Sequence, residues 1–198
     1  MESIAEETGV KKRVKKEKKP EVKKPFWREL LEYVIMIASV VVITLLFTRF
    51  IAVRSVVDGN SMNPLLHDQD NLIVEKVSYY FHDPERFDII VFKLKNENTH
   101  YIKRIIGLPG ETVQVIDGYV YVNGEKLEDD IYGNEVMENA YRAKDPIVLG
   151  ENEYFVLGDN RNHSNDSRSI GPVSRSQFLG KAWVRFWPLN AITSLNDK

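Results

Sequence analysis

Three stretches of this 198-residue chain carry side chains whose types and spacing suit chemistry. The first is a turn-like segment, residues 57–64, in which Ser61 follows Gly59-Asn60 and precedes Pro64. Glycine and asparagine tolerate positive φ, and proline fixes its own backbone angle. The segment therefore predicts a turn that holds one hydroxyl away from its scaffold and leaves nearby N–H groups free for a ligand.

The second stretch is an apolar strand, residues 101–106, that carries Lys103 and Arg104 at its centre. Period-two alternation places these two cations on opposite faces. A free lysine has a pKa of about 10.4 and is an ammonium at neutral pH, whereas burial lowers that pKa by several units. A desolvated Lys103 would accept the proton of Ser61, which is the Ser-Lys form of nucleophile and base. Arg104 cannot act as this base because it does not deprotonate, and it is expected to make an ion pair or to face a phosphate. Alternatively, both cations lie on an edge or a surface.

The third stretch is a polar loop, residues 158–168, that follows a predicted strand. Its short polar side chains suit a loop held rigid by its own hydrogen bonds, and Ser164 is placed to orient a lysine amine. His163 allows a Ser-His-Asp triad as an alternative, although adjacent side chains usually point apart. The acidic and amide side chains of the loop also suit a calcium site, but the positive charges of the arginines oppose the binding of a cation there. Two charge pairs are expected to brace the loop, formed among Asp159, Arg161, Asp166 and Arg168.

An uncharged run, residues 33–48, precedes these stretches and extends to residue 53 if Arg49 is allowed. About 20 helical residues span a bilayer core of roughly 30 Å, so residues 29–53 are predicted to form one transmembrane anchor. A cleaved signal peptide is the first alternative, but it would be shorter and would end in a small-x-small site. A buried core helix is the second.

Residues 1–28 carry ten Lys/Arg and five Glu, and their scarcity of large apolar side chains predicts a disordered tail. Basic residues beside an anchor favour the cytoplasmic side of a membrane. The tail is therefore expected in the cytoplasm, next to anionic lipid headgroups, and residues 54–198 on the outer side of the cell membrane.

Residues 54–198 are predicted to form one mostly β domain, because short β-branched and aromatic segments alternate with turn signals. No amphipathic helices separate these segments, which favours antiparallel sheets, packed or barrel-like, over a parallel α/β fold. Residues 125–147 are polar and less regular, and are expected to leave the sheets. The predicted strands are residues 72–77, 87–92, 100–106, 112–116, 119–122, 153–157 and 181–186.

The composition excludes several classes of protein. Without cysteine, the chain has no disulfide, no thiol nucleophile and no cysteine-based metal site. Residues 54–198 hold 16 basic and 22 acidic residues, a net charge of −6. That charge argues against nucleic acid as a partner, because phosphates need a basic face. Neither a cofactor nor a metal is expected.

Four ordered blocks of the sequence resemble the type I signal peptidases, the membrane-anchored Ser-Lys proteases that remove signal peptides from exported proteins. The short length and single anchor resemble the compact form found in Gram-positive bacteria. The blocks are Gly59-Asn60-Ser61-Met62-Asn63-Pro64, Arg86-Phe87-Asp88-Ile89-Ile90-Val91-Phe92, Tyr101-Ile102-Lys103-Arg104-Ile105-Ile106-Gly107-Leu108-Pro109-Gly110, and Gly158-Asp159-Asn160-Arg161 followed by Ser164 and Asp166-Ser167-Arg168.

The resemblance implies a serine endopeptidase with a signal peptidase fold, similar to LexA, in which Ser61 is the nucleophile and Lys103 the general base. It also implies that Ser164 positions the lysine and that Met62 lines the substrate groove. Some members carry a serine two residues before the nucleophile. Gly59 stands there in this chain, so the oxyanion would rest on the Ser61 N–H, assisted by the Gly59 backbone. Four further residues would support the site: Asp159, Arg161, Asp166 and Arg168.

The resemblance further implies cleavage after Ala-x-Ala-like sites, with the signal peptide of a secreted preprotein bound as an added β-strand. A monomer at the lipid bilayer is expected. Two rivals stay open. A LexA-like self-cleaving repressor uses a related Ser-Lys pair, but is soluble and carries a DNA-binding helical domain. A membrane-tethered β domain that binds an extracellular partner would hold Ser61 merely in a turn.

Overall fold

The structure is a computed structural model that describes residues 25–94, 97 and 99–195. Most of the predicted disordered tail, residues 1–24, lies outside the described residues. The chain divides into two compact units, and the division falls between Val42 and Ile43.

One long helix, α1, spans Phe26–Phe50. It begins directly after Pro25, as proline is tolerated at a helix start but not in its interior. Glu29 lies in the first turn and Arg49 in the last, where each charge complements the helix dipole. None of its residues is buried, and by length and composition it is able to cross a membrane. The helix ends before the predicted boundary at residue 53, because Ala52 already begins the first strand.

The β domain holds two antiparallel sheets. The larger one has the order β1-β2-β11-β3-β4-β9-β10, with β12 beside β11, and the smaller one has the order β7-β6-β5-β8. Within the described residues neither sheet closes on itself, so the expected barrel-like form is replaced by two open sheets. The strands are β1 (Ala52–Val56), β2 (Asn71–Glu75), β3 (Ile89–Lys93), β4 (His100–Gly107), β5 (Thr112–Ile116), β6 (Tyr119–Val122), β7 (Glu125–Lys126), β8 (Ile147–Val148), β9 (Glu153–Leu157), β10 (Val173–Ser174), β11 (Phe178–Trp187) and β12 (Thr193–Ser194).

The seven predicted strands correspond to β2, β3, β4, β5, β6, β9 and β11, which confirms the mostly antiparallel β fold. The remaining five strands were not predicted. Helical turns are short: α2 (Ser78–Phe81), α3 (Ser167–Ile170) and the 3₁₀ turns Tyr141–Lys144, Arg161–His163, Arg175–Gln177 and Leu189–Ala191.

Strand β4 is covered on both faces. Its isoleucines enter three separate apolar clusters: Ile102 joins the first, Ile106 the second and Ile105 the third. Lys103 and Arg104 lie between them and are only 3% and 4% exposed. The interpretation of both as surface cations is therefore wrong. A buried cation is costly unless it is paired with a negative charge or loses its proton. Lys103 and Arg104 must therefore each be neutral or have a partner of opposite charge.

Candidate active site

Ser61 lies in the segment between β1 and β2, residues 57–64, called here the serine turn. The Val57 N–H donates to the Asp70 carbonyl at 2.8 Å and closes the base of this turn. Gly59 has a φ of +85°, in the left-handed region that glycine adopts without strain. The turn is therefore fixed at its base and bends sharply just before Ser61.

The backbone N–H groups of the serine turn differ in what they bind. The Gly59 N–H donates to Oδ1 of Asp68 at 2.8 Å. Within the described residues, the Ser61 N–H donates no hydrogen bond. Of the two backbone groups expected to hold an oxyanion, the Ser61 N–H is thus available, whereas the Gly59 N–H is occupied by a carboxylate.

Lys103 approaches the serine from β4, where its backbone pairs with Ile90 of β3. Its Nζ lies 2.7 Å from the Ser61 Oγ and donates to the Ile102 carbonyl at 2.8 Å. The ring centroid of Tyr101 lies 5.9 Å from the same nitrogen. The amine is therefore enclosed by its own strand and by the serine turn.

Burial lowers the pKa of Lys103 from 10.5 to about 8, and the negative charges of Asp166 and Asp159 partly oppose this effect. At 1.36 kcal/mol per pKa unit, the shift corresponds to about 3 kcal/mol of destabilised ammonium. A substantial fraction of the amine is consequently neutral near pH 8. A neutral amine within hydrogen-bond distance of a hydroxyl can accept its proton.

The polar loop, residues 158–168, is held by one buried carboxylate. Asp166 accepts two hydrogen bonds from the Arg168 guanidinium, each at 2.8 Å, and one from the Gly158 N–H at 3.1 Å. Arg168 also donates to the Arg161 carbonyl. Asp166 and Arg168 are 0% and 1% exposed, so this pair is charge-assisted and desolvated.

The other expected charge pair of the loop does not form. Asp159 instead takes two hydrogen bonds from Arg104 of β4, at 2.8 and 2.7 Å. Arg161 instead forms a two-point pair with Asp130, with both distances 2.6 Å. Both pairs are buried and link the loop to other parts of the domain. The predicted bracing by charge is present, but two of the four residues have partners outside the loop.

Ser164 has a buried Oγ without a hydrogen-bond partner in the described structure, so the expected contact with Lys103 is not made. The hydroxyl packs against Gly158, where a Cβ would lie 2.3 Å from that Oγ and 2.4 Å from the Ser61 carbonyl oxygen. Only glycine fits this position. An unpartnered buried hydroxyl costs about 1–3 kcal/mol, which marks Ser164 as a group that needs a further partner.

A cavity of about 310 Å³ opens beside the dyad. Met62 lines it and is 1% exposed, which fits the expected groove wall. His163 also lines the cavity, and its side chain is exposed. The cavity is lined by residues 57–62 and 99–103 together with His163 and Asn165.

Three residues that contact this machinery were missed in the sequence. Asp68 holds the Gly59 N–H, Asp130 pairs with Arg161, and Asn134 binds the polar loop. Each lies in a polar stretch without periodicity, so no local signal separated them from ordinary loop residues. Among residues 25–94, 97 and 99–195, no three or more His, Asp or Glu side chains are grouped to hold a metal ion.

Known proteins match this chain over most of its length. A family model described as "Signal peptidase, peptidase S26" matches residues 30–187. The chain is similar to a probable signal peptidase I-2 of Synechocystis sp., with 40% identity over 99% of this chain and 86% of the relative. It is 36% identical to signal peptidase I S of Bacillus subtilis, over 85% of this chain and 95% of that one. A crystal structure of a signal peptidase I from Enterococcus faecalis matches with a TM-score of 0.42 and 36% identity, covering 50% of this chain and 97% of that chain.

Proposed function

The chain belongs to the peptidase S26 signal peptidase family, and from this premise we propose that Ser61 and Lys103 form the catalytic dyad of a signal-peptide endopeptidase. The observation that carries the assignment is the 2.7 Å contact between the Lys103 Nζ and the Ser61 Oγ in a desolvated setting. In this setting Lys103 serves as the general base, and no other titratable group hydrogen-bonds the serine among the described residues.

The reaction has two halves. In the first, the Ser61 Oγ attacks the carbonyl carbon of the scissile peptide while its proton passes to the Lys103 Nζ. The C–N bond then breaks, and the Lys103 ammonium returns the proton to the leaving amine, which becomes the new N-terminus of the mature protein. In the second, water gives a proton to Lys103 and attacks the ester carbonyl carbon. The bond to the Ser61 Oγ then breaks, the Lys103 ammonium returns its proton to that oxygen, and the signal peptide leaves as a carboxylic acid that ionises in water.

The Ser61 N–H is the proposed oxyanion donor, because it is unoccupied and belongs to the nucleophile's own residue. The Gly59 N–H is excluded from this role by its bond to Asp68. Ser164 is the proposed positioning hydroxyl for Lys103, since its Oγ is buried beside Gly158 and lacks a partner.

The substrate is proposed to bind as an extended strand along β4. The first half of this strand pairs with β3 at residues 100–104, whereas β9 pairs with it only from Arg104 onward. One edge of residues 100–103 therefore has no strand partner in the described structure, and it borders the cavity. Backbone pairing at a free edge is a general way to bind a peptide. The modest cavity volume and its Met62 wall support small side chains, as in Ala-x-Ala sites.

Helix α1 is proposed to anchor the enzyme in the bilayer as a monomer, with the N-terminus in the cytoplasm and the β domain on the other side. The support is the excess of basic residues before the helix. The proposed substrate, a preprotein signal peptide, crosses the same membrane. No cofactor takes part in the proposed reaction.

A cleavage assay with a preprotein tests the proposal. The full chain in detergent micelles should release the mature protein, whereas Ser61→Ala and Lys103→Ala should each lose at least about a thousandfold in kcat/KM. His163→Ala should keep most of the activity, because that side chain is exposed and does not contact the serine. Substantial activity in folded Lys103→Ala would refute the dyad, and a large loss in His163→Ala would revive the triad.

A further inference from the structure

A polar segment outside the sheets lies against the polar loop. It comprises residues 130–139 and is called here the bracing segment. It belongs to the stretch 125–147 that was predicted only to leave the sheets. Its hydrogen bonds connect it to the polar loop, and the polar loop in turn makes hydrogen bonds to the serine turn that carries Ser61.

The path begins at Asp130. Its two carboxylate oxygens each accept a 2.6 Å hydrogen bond from Arg161, and the two side chains are 7% and 4% exposed. The Arg161 Nε also donates to the Gly158 carbonyl at 3.1 Å. A Cβ on Gly133 would lie 2.8 Å from the Arg161 Cζ, so the backbone of the bracing segment encloses the guanidinium. Asp130 thereby fixes the residue that holds Gly158.

Asn134 makes the second link, to three consecutive residues of the loop. Its N–H donates to the Asp159 carbonyl at 3.0 Å, and its Oδ1 accepts the Arg161 N–H at 3.0 Å. Its Nδ2 also donates to the Asn160 Oδ1 at 3.3 Å. One exposed asparagine therefore sets the backbone of the loop where the loop meets the serine turn.

Asn160 completes the path. Its N–H donates to the Ser61 carbonyl at 3.1 Å, and its Nδ2 donates to the Asn60 carbonyl at 3.1 Å. The carbonyl of the nucleophile's own residue is thus held by the loop that Asn134 and Asp130 hold in turn. A displacement of the loop would move the Ser61 backbone with respect to Lys103, which stands on a different element.

We propose that Asp130 and Asn134 are positioning residues for the Ser61–Lys103 dyad, acting through the polar loop. They touch neither the serine nor the lysine, and their role rests on the proposed function of that dyad. A misplacement of about 1 Å costs as much as a hundredfold in rate, so contacts that set the loop backbone act on kcat. The bracing segment is in this sense part of the site.

The kinetic test uses the full chain in detergent and four variants. Asp130→Asn and Asn134→Ala should each lower kcat for preprotein cleavage by about tenfold or more and change KM by less than about threefold. Asp129→Asn is the matched control, because it changes the neighbouring exposed carboxylate and should leave kcat within about twofold of the parent. Asn134→Asp keeps the oxygen that accepts the Arg161 N–H and should recover most of the loss seen with alanine.

Hydrogen exchange supplies a readout that needs no substrate. Amides of residues 158–168 should exchange faster in Asp130→Asn and Asn134→Ala than in the parent and Asp129→Asn, while β5 and β6 amides keep their protection. If the parent does not cleave preprotein, the proposed function fails. The exchange rates then still show whether Asp130 and Asn134 hold the polar loop in place.

Two results would overturn the inference. The first is a folded Asp130→Asn and Asn134→Ala with kcat near that of the parent. The second is unchanged exchange of the loop in both variants. Removal of one partner from a buried pair costs about 3–5 kcal/mol, which is enough to unfold a domain of ordinary stability, so the fold of Asp130→Asn is checked first. If that variant does not fold, the comparison of Asn134→Ala with Asn134→Asp, at an exposed position, tests the inference alone: equal kcat in these two variants refutes it.

Discussion

Gly158 and Ser164 lie so close that a Cβ on the glycine would sit 2.3 Å from the serine Oγ. The same Cβ would lie 2.4 Å from the Ser61 carbonyl oxygen and 2.6 Å from the Ser164 Cβ, and neither of these two atoms can move away by rotation of a side chain. The loop and the serine turn therefore meet across a gap that admits only a hydrogen atom.

Gly158→Ala should consequently lower kcat by about a hundredfold or more, because the added methyl pushes the loop away from the serine turn. Steady-state preprotein cleavage measures the effect. Gly124→Ala is the control, since Gly124 has a φ of +85° but nothing within 4 Å of its Cβ. That variant should lose about 1–3 kcal/mol of stability from backbone strain and keep its kcat. Equal kcat in the two variants would contradict the close-approach account.

The rate of cleavage should depend on pH through Lys103. Its pKa is lowered to about 8 by burial, and only the neutral amine accepts a proton. Below this pKa the neutral fraction falls tenfold per pH unit, so kcat/KM should rise with pH and level off above about 8. Preprotein cleavage between about pH 5 and pH 10 measures the profile. A flat profile would require a different base.

The free energy of unfolding should also depend on pH through Lys103. Because the folded pKa of Lys103, about 8, lies below the ordinary value of 10.5, the unfolded state binds more protons between these two values. The free energy of unfolding should therefore gain up to about 3 kcal/mol from this residue as pH rises from about 8 to 10.5, with no gain below that range.

Lys103→Met tests whether burial of the Lys103 ammonium destabilises the folded state. The neutral side chain fills a similar volume, removes the cost of a buried ammonium at pH 7 and loses two hydrogen bonds. This variant should be more stable than the parent at pH 7, by about 1–3 kcal/mol, and the difference should shrink toward pH 10. Chemical unfolding in detergent at the two pH values provides the comparison. A variant less stable than the parent at pH 7 would show that the lysine is not strained by its burial.

Asp68 should act on kcat through the Gly59 N–H. Loss of its carboxylate frees the turn just before Ser61 and lets the Ser61 N–H swing away from the oxyanion. Asp68→Ala should lower kcat by about tenfold with little change in stability, because the side chain is exposed. Asp68→Asn keeps an oxygen acceptor and should restore most of the rate. If asparagine and alanine behave alike, the hydrogen bond has no role in the reaction.

The sequence was sufficient to predict the strands that are long and apolar, because β-branched segments between turn signals have few other solutions. It missed β7, β8, β10 and β12, each two residues long, since so short a pairing leaves no periodic pattern. It also missed β1, which begins at Ala52 and is continuous in composition with the apolar run of α1. Hydropathy alone does not mark where a helix ends and a buried strand begins.

The close approach of Ser61 and Lys103 could be predicted from the sequence, but the charge partners of Asp159 and Arg161 could not. Asp159 pairs with Arg104, which is 55 residues away, and Arg161 pairs with Asp130, which is 31 residues away. The sequence suggested two charge pairs among the four loop residues, yet Asp159 and Arg161 each pair with a residue outside the loop. The predicted contact of Ser164 with Lys103 is likewise absent, and the Ser164 Oγ is buried without a hydrogen-bond partner in the described structure.

The bonds that assemble the dyad connect distant parts of the chain. Ser61 and Lys103 are 42 residues apart, and Asn60 and Asn160 are 100 residues apart. Contacts of such separation form late, after the intervening strands have paired. The loop residues that hold the Ser61 carbonyl and the Asn60 carbonyl are thus among the last of these elements to be translated. A chain cut before Asn160 should therefore lack the ordered serine turn, although it contains both Ser61 and Lys103.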